Sequence, residues 1–233
     1  MWSYYGSKNR IAKYYPKPIF DDIEERFAGA GYFSLLYFEK NVTLIDKSQM
    51  VIDIWHYLQE ASIKDIMSLP VLPRGFKISR DMFDCDGQYN LMRFLIVQAA
   101  YGGNNVVSKW GAMRFEANRK RVATNLFKCK HWTIKQGEYY DGDCNKKATW
   151  FIDPPYTHGG DKYPMKAKYI DFEKLANWCK GLNGQVMVCE NTKADWLPFV
   201  PLTKMNGVAH QTTEAIWTNY HTHYNNVQQE LIL

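Results

Sequence analysis

The chain reads as an α/β protein built on a Rossmann-like, doubly wound sheet, and three observations predict this. A strand-like segment, Ile19 to Phe27, meets the glycine turn Ala28-Gly29-Ala30-Gly31 and then a helical pattern over Tyr32 to Lys40. A second strand, Val42 to Ile45, ends in Asp46. Far downstream, Ala148 to Asp153 reads as a buried strand that Pro154 and Pro155 bring to a stop. Strand, glycine turn and helix together are how a doubly wound sheet opens a ligand crevice at the carboxyl end of its first strand.

The remaining elements follow in order. Gln49 to Glu60 carries Met50, Ile54, Tyr57 and Leu58 at helical spacing, as expected of a helix after the second strand. From about Ala61 the pattern changes, and Pro70, Pro73 and Gly75 mark a loop bearing Arg74 and Lys77. A helix is expected over Gln88 to Tyr101, then the loop Gly102-Gly103-Asn104-Asn105, then a second helix over Glu116 to Phe127. Sheet character returns at Trp132 to Lys135. Asp171 is the expected N-cap of a helix reaching Lys180, with Glu173 and Lys174 in its first turn. Gln185 to Glu190 reads as a buried strand and Glu214 to Asn219 as one arm of a terminal antiparallel hairpin.

A length of 233 residues suits one large α/β domain with an insert. The boundaries expected are 1–60 and 131–233 for the main domain and 61–130 for the insert. No apolar run approaches the roughly 18–20 residues that a membrane span needs. The opening residues lack the basic and apolar regions of a signal peptide. Five cysteines, an odd number with no Cys-x-x-Cys spacing, argue for neither a disulfide framework nor a zinc site and point to a reducing, cytoplasmic interior. His221-Thr222-His223 has no nearby acid or cysteine to complete a ligand set, so no metal is expected.

The chemistry concentrates in Asp153-Pro154-Pro155-Tyr156. A carboxylate at a strand tip, a rigid double-proline turn and an aromatic ring suit group transfer onto the exocyclic amine of a flat base. The lone pair of such an amine is delocalised into the ring, and acceptors aimed at its N–H bonds draw the nitrogen toward a reactive geometry. Asp153 supplies one acceptor and the Pro154 carbonyl a second, Pro155 stiffens the turn, and Tyr156 offers a stacking face worth about 1–3 kcal/mol. Asp and Pro are also ordinary turn residues, so this stretch alone is equally a plain strand-ending turn.

The glycine turn narrows the ligand. Gly29 and Gly31 let backbone approach a ligand closely, and Asp46 sits where such folds set an acid against ribose hydroxyls. Ser34 stands where a dinucleotide pattern needs its third glycine, and the chain contains no Gly-x-x-x-x-Gly-Lys-Ser/Thr loop. A nucleoside without a pyrophosphate fits better than NAD or ATP.

Three blocks in this order resemble the Dam-like (D12 class) DNA adenine-N6 methyltransferases, and most closely their compact phage and prophage forms. Tyr4-Tyr5-Gly6-Ser7-Lys8-Asn9-Arg10 is similar to the family's N-terminal aromatic-x-Gly-Gly-Lys segment, with Ser7 replacing the second glycine. Phe27-Ala28-Gly29-Ala30-Gly31 is similar to its Phe-x-Gly-x-Gly loop, and Asp153 to Tyr156 to its catalytic tetrapeptide. The resemblance implies a Rossmann-like S-adenosylmethionine-dependent methyltransferase fold, a mixed seven-stranded sheet flanked by helices. It implies S-adenosylmethionine as cofactor, contacted by Tyr4, Lys8, Phe27, Ala28, Gly29, Gly31, Asp46, Glu138, Tyr139 and Asp153. Glu138 replaces the family's usual Asp. The activity implied is methyl transfer to N6 of a flipped adenine in duplex DNA, with or without a restriction partner. Enzymes acting on RNA adenine or a protein glutamine amide carry a similar tetrapeptide, and a non-catalytic nucleic-acid-binding derivative is a further alternative.

The insert is where DNA contacts are expected. Arg74, Lys109, Arg114, Arg119, Lys120 and Arg121, with Lys128 and Lys130 beyond, interleave with Trp110 and Phe115, opposed by Glu116. A net charge of +5 and a pI near 8.8 describe a local basic footprint, below the pI of about 9 that marks a basic domain. Thr157 to Lys168, carrying Lys162, Lys166 and Lys168, is expected to form a flap over the target base.

Overall fold

A computed structural model describes residues 1–2, 8–97, 104–158, 167–206 and 211–220. Seven strands form one sheet in the order β3-β2-β1-β4-β5-β7-β6: β1 Asp22–Arg26, β2 Asn41–Asp46, β3 Thr133–Gln136, β4 Ala148–Ile152, β5 Gly184–Asn191, β6 Val200–Asn206 and β7 Gln211–Thr218. Strands β1 to β5 run parallel, and β7 lies antiparallel to both β5 and β6. The chain therefore winds outward from β1 through β2 to β3, then returns to place β4 on the other side of β1. Such a switch point leaves a crevice outside the carboxyl ends of the two strands.

The central strands are buried on both faces, as parallel strands covered by helices must be. Every residue of β4 is buried, and alternate side chains serve opposite layers. Phe151 joins Phe33, Leu44 and Trp55 on one face, with its ring stacked on Phe33 at 4.2 Å. Trp150 and Ile152 join Leu175, Val186 and Val188 on the other. At about 25 cal/mol per Å² of apolar surface removed from water, these layers are the main stabilising term.

Helices α1 (Tyr32–Leu36), α2 (Gln49–Glu60), α3 (Ile63–Met67), α4 (Asp86–Met92) and α5 (Lys109–Asn125) precede β3, and α6 (Phe172–Gly181) lies between β4 and β5. Helix α2 has the limits expected from its spacing. Asp171 caps α6 through the Lys174 N–H, also as expected. Strand β1 is shorter than expected, beginning at Asp22 after a stretch that contains Pro16 and Pro18. Instead of one regular helix to Tyr101, α4 gives way at Arg93 to a π-helical turn, Arg93–Val97. Residues 98–103 lie outside the described residues.

Helix α5 begins seven positions before the expected Glu116. Ser108 caps it, accepting from the Gly111 N–H at 2.8 Å. Gly111 belongs inside this helix for a packing reason: a Cβ there would stand 1.8 Å from the Ile96 carbonyl oxygen. Among the described residues, the segment 61–130 adds no separate core. Ile66, Leu69, Leu91, Leu95, Phe115 and Val122 bury themselves in the layer that contains Phe33 and Trp55. Among the described residues, no helix is long and apolar enough to cross a membrane.

Candidate active site

The register of β1 and β4 brings the two sequence motifs together. Arg26 pairs with Ile152, and the Asp153 N–H donates to the Arg26 carbonyl at 3.4 Å. Phe27 and Asp153 thus leave adjacent strands side by side, although more than a hundred positions separate them.

The turn after β1 is built from left-handed backbone. Phe27, Gly29 and Gly31 have φ of 55°, 49° and 59°. For Gly31 this is inexpensive, but a phenylalanine there carries strain of order 1–3 kcal/mol that its surroundings must offset. The Phe27 ring stacks on Tyr139 at 5.5 Å. The Trp55 indole N–H donates to the Gly29 carbonyl at 2.9 Å. On the other side of the turn, the Gly29 N–H donates to Asp46 Oδ2 and the Ser48 N–H to Asp46 Oδ1, each at 2.8 Å. Burial raises the Asp46 carboxyl above its usual range while these two donors lower it.

A cavity of about 310 Å³ opens at this switch point. Among the residues expected to contact a cofactor, Lys8, Phe27, Ala28, Gly29, Gly31, Asp46, Glu138, Tyr139 and Asp153 all line it. Tyr4 lies outside the described residues. Of the catalytic tetrapeptide, Asp153 and Pro155 reach the wall. Pro154 is buried beside it. Tyr156 is not among the lining residues; it is half-buried, with one face of its ring covered by the Lys8 ammonium at 4.6 Å. Glu138 carries an ion pair with Lys47.

The cavity suits a cation or hydroxyl donors rather than a phosphate. Its lining includes the acids Glu25, Asp46, Glu138 and Asp153 beside Lys8, Lys47 and Lys174; Lys8 and Lys47 are paired with Asp153 and Glu138, and the Gly29 N–H, which a phosphate would need, is already given to Asp46. A nucleoside carrying a positive sulfur and an ammonium fits such walls. Asp153 is among the perturbed acids of this lining. Burial lifts its carboxyl to about 6, Lys8 pulls it down, and Glu214 and Glu190 push it up.

Several site residues gave no sign of themselves in the sequence analysis. Glu25, beneath the turn, accepts from the Ser34 N–H at 2.9 Å and from the Ser34 hydroxyl, and burial raises it to about 7. Ser34, in place of a third glycine, is therefore Glu25's partner. Two adjacent acids in a central strand, Glu24 and Glu25, were the available signal. Tyr140, Tyr169, Asp171 and Lys174 complete the rim. Glu214 and Tyr15 lie deeper, bonded to one another.

The basic residues of the insert divide into two groups. Lys109, Arg114 and Lys120 are exposed on α5 and Arg74 on its loop, and the Arg114 guanidinium lies 5.5 Å over the ring of Trp110, itself 55 % exposed. Arg119 has other work: it is only 11 % exposed, pairs with Glu116 at 2.7 Å and donates to the Leu69 carbonyl at 2.7 Å. Arg121 donates to Asn118, and Lys130 to the carbonyls of Leu58, Gln59 and Ala61 at the end of α2. Phe115, expected as a ring for stacking or wedging, is 2 % exposed and belongs to the core. Lys162 and residues 159–166 of the expected flap lie outside the described residues, as do His221 and His223.

Among the described residues, strand order, a single reversed strand and a crevice beside β1 and β4 define the Rossmann-like fold of S-adenosylmethionine-dependent methyltransferases. Among solved structures, the chain is similar to the Escherichia coli protein yhhF, described as a methyltransferase, at 10% identity over 84% of this chain and 74% of that one, with a TM-score of 0.37. It is also similar to the rRNA methyltransferase aviRa from Streptomyces viridochromogenes, at 11% identity over 84% of this chain and 76% of that one, with a TM-score of 0.38. With so few residues in common and such low TM-scores, neither likeness bears on activity or substrate. No protein-family model matches the chain, and no curated protein matches it in sequence.

Proposed function

We propose that the chain transfers a methyl group from S-adenosylmethionine to the N6 amine of adenine in DNA. The observation that carries this reading is the shared cavity: the Asp153 carboxylate and the Phe27–Gly31 turn line one space. When bound, the cofactor supplies a methyl group on a positively charged sulfur and leaves as a neutral thioether.

The residues of the chain do the rest. Phe27 and Tyr139 give the cavity its flat apolar walls, and Asp46, with both oxygens already oriented by backbone donors, accepts from ribose hydroxyls. Asp153 Oδ1 is engaged by Lys8, so Oδ2 is left to accept from the target amine. The Pro154 carbonyl accepts the amine's second N–H. One face of Tyr156 is covered by Lys8, and the opposite face stacks on the base. An adenine within a stacked duplex cannot meet Asp153, so the base is extruded, at a cost of a few kcal/mol. Exposed Lys109, Arg114, Lys120 and Arg74 offset that cost through phosphate contacts.

Nucleoside mass spectrometry tests the reading. The protein is incubated with cofactor and, separately, duplex DNA, RNA and a glutamine-containing peptide. N6-methyldeoxyadenosine from the DNA arm is expected; methylation confined to RNA or peptide would transfer the activity to that substrate, and none in any arm would sink the enzyme reading.

A further inference from the structure

Behind the candidate site lies a buried polar cluster, two of whose members, Glu214 and Tyr15, have no task in the proposed reaction. Glu214, on β7 and 4 % exposed, meets three partners on the single oxygen Oε1, two hydroxyl donors and an ion-paired ammonium. These are the Tyr15 hydroxyl at 2.5 Å, the Tyr156 hydroxyl and the Lys8 ammonium at 3.3 Å. Lys8, itself 6 % exposed, also donates to the Tyr156 hydroxyl at 2.6 Å and pairs with Asp153 Oδ1 at 2.8 Å.

A network like this is stable only when each member is satisfied, because an unpaired polar group in a low-dielectric interior costs more than a bond gains. Its geometry has a consequence for the pocket. A tyrosine ring without a hydroxyl anchor is fixed by packing alone, and a lysine carries about 2 kcal/mol of rotamer entropy that favours several positions. Both freedoms end on the same carboxylate oxygen. Tyr15, whose ring packs edge-on against Phe151 at 5.0 Å, ties that carboxylate in turn to the central strand.

We propose that Glu214 is the positioning residue of this site: through one oxygen it fixes the Tyr156 ring and the Lys8 ammonium, and Lys8 in turn orients Asp153. Glu214 does not line the cavity. Its role is to hold the acceptor and the stacking face in one geometry, where a displacement of about 1 Å can cost about a hundredfold in rate. The inference rests on reading the pocket as a site of amine methylation. Among the described residues, the charged and titratable groups around Asp153 are Lys8, Glu214, Tyr15, Tyr156, Cys189, Glu25 at the end of β1 and, from the end of β5, Glu190.

Glu214→Gln keeps the shape and an acceptor oxygen and deletes the charge. Carbon-13 NMR of aspartate carboxyls in the free protein, assigned with Asp153→Asn, follows Asp153 without any methyl transfer. Loss of a like charge nearby should lower the Asp153 midpoint by about one unit. In the same variant kcat for DNA methylation should fall about tenfold or more, since charge-assisted bonds are roughly twice as strong as neutral ones, while KM for the cofactor stays within about twofold. An unmoved midpoint with kcat at the wild-type level overturns the proposal. If the wild type methylates nothing, the proposed function falls, and the positioning is then read from the Tyr156 ring resonances: Glu214→Gln should shift and broaden them, and unchanged resonances overturn the proposal. If Glu214→Gln does not fold, Tyr15→Phe removes one donor to the same oxygen from outside the pocket. It should slow transfer about two- to tenfold, the worth of one hydrogen bond, and an unchanged kcat in that folded variant overturns the proposal as well.

Discussion

Lys8 donates to the Tyr156 hydroxyl across 148 positions of sequence, and the same ammonium stands 2.8 Å from the Asp153 carboxylate. One cation thus binds the N-terminal segment to the turn after β4 and touches two members of the tetrapeptide. The contact also bears on charge. Without Lys8, Asp153 would keep the burial and the acidic neighbours that raise it and lose the group that opposes them.

Lys8→Met should therefore raise the Asp153 carboxyl above its value of about 6. An amine acceptor works when ionised, so wild-type transfer should decline as pH falls through about 6, and the decline in Lys8→Met should begin at higher pH. The pH dependence of kcat for the two proteins measures this; superimposable profiles would contradict the pairing.

Glu25 makes a separate prediction about stability. Its carboxyl rises from 4.5 in the unfolded chain to about 7 in the fold, chiefly through burial. A raised acid binds its proton more tightly in the native state, so the contribution is complete below pH 4.5 and is lost as pH climbs through about 7. Glu25→Gln, which stays neutral throughout, should show a flatter dependence of urea midpoint on pH between those values. Parallel curves for wild type and variant would refute the assignment.

Gly31→Ala tests the turn. At φ +59° a side chain is strained, and its Cβ would lie 2.8 Å from Trp55 Cζ2. The backbone penalty alone is about 1–2 kcal/mol. Displacement of Trp55 would also loosen its bond to the Gly29 carbonyl. Urea unfolding should register the loss, and titration with S-adenosylhomocysteine should show weakened binding. Full stability together with full affinity would show that the turn tolerates a side chain.

The insert offers a contrast between two arginines. Arg114, exposed beside Trp110, should act on DNA: Arg114→Ala should weaken binding and reduce the slope of log affinity against log salt by about 1. Arg119, committed to Glu116 and the Leu69 carbonyl, should act on the fold: Arg119→Ala should lower the urea midpoint and leave the salt slope unchanged. Binding isotherms at several salt concentrations, paired with melts, separate the two; identical behaviour would undo the division.

The elements that position the cavity were legible because each rests on a local pattern. The glycine turn, Asp46 at the end of β2 and Asp153 at the end of β4 are signals spanning a few residues, and α2 and the cap of α6 follow from spacing and side-chain chemistry. Other features depend on distant contacts. Tyr15 and Glu214 meet across 199 positions, and nothing near either one marks it as a partner. The helix expected from Glu116 starts earlier, at Lys109, and the Gly111 inside its first turns is explained only by the Ile96 carbonyl against which it packs. Arg119 and Lys130 looked like members of a cationic face, yet each is held by backbone carbonyls that only the folded chain brings to it.

Asp153→Ala is the most direct test of the whole account. Cofactor affinity and single-turnover formation of N6-methyladenine in duplex DNA are measured on the same purified sample. The account predicts a folded protein that retains measurable cofactor binding and forms no methylated adenine. Methylation at the wild-type rate by Asp153→Ala would contradict it.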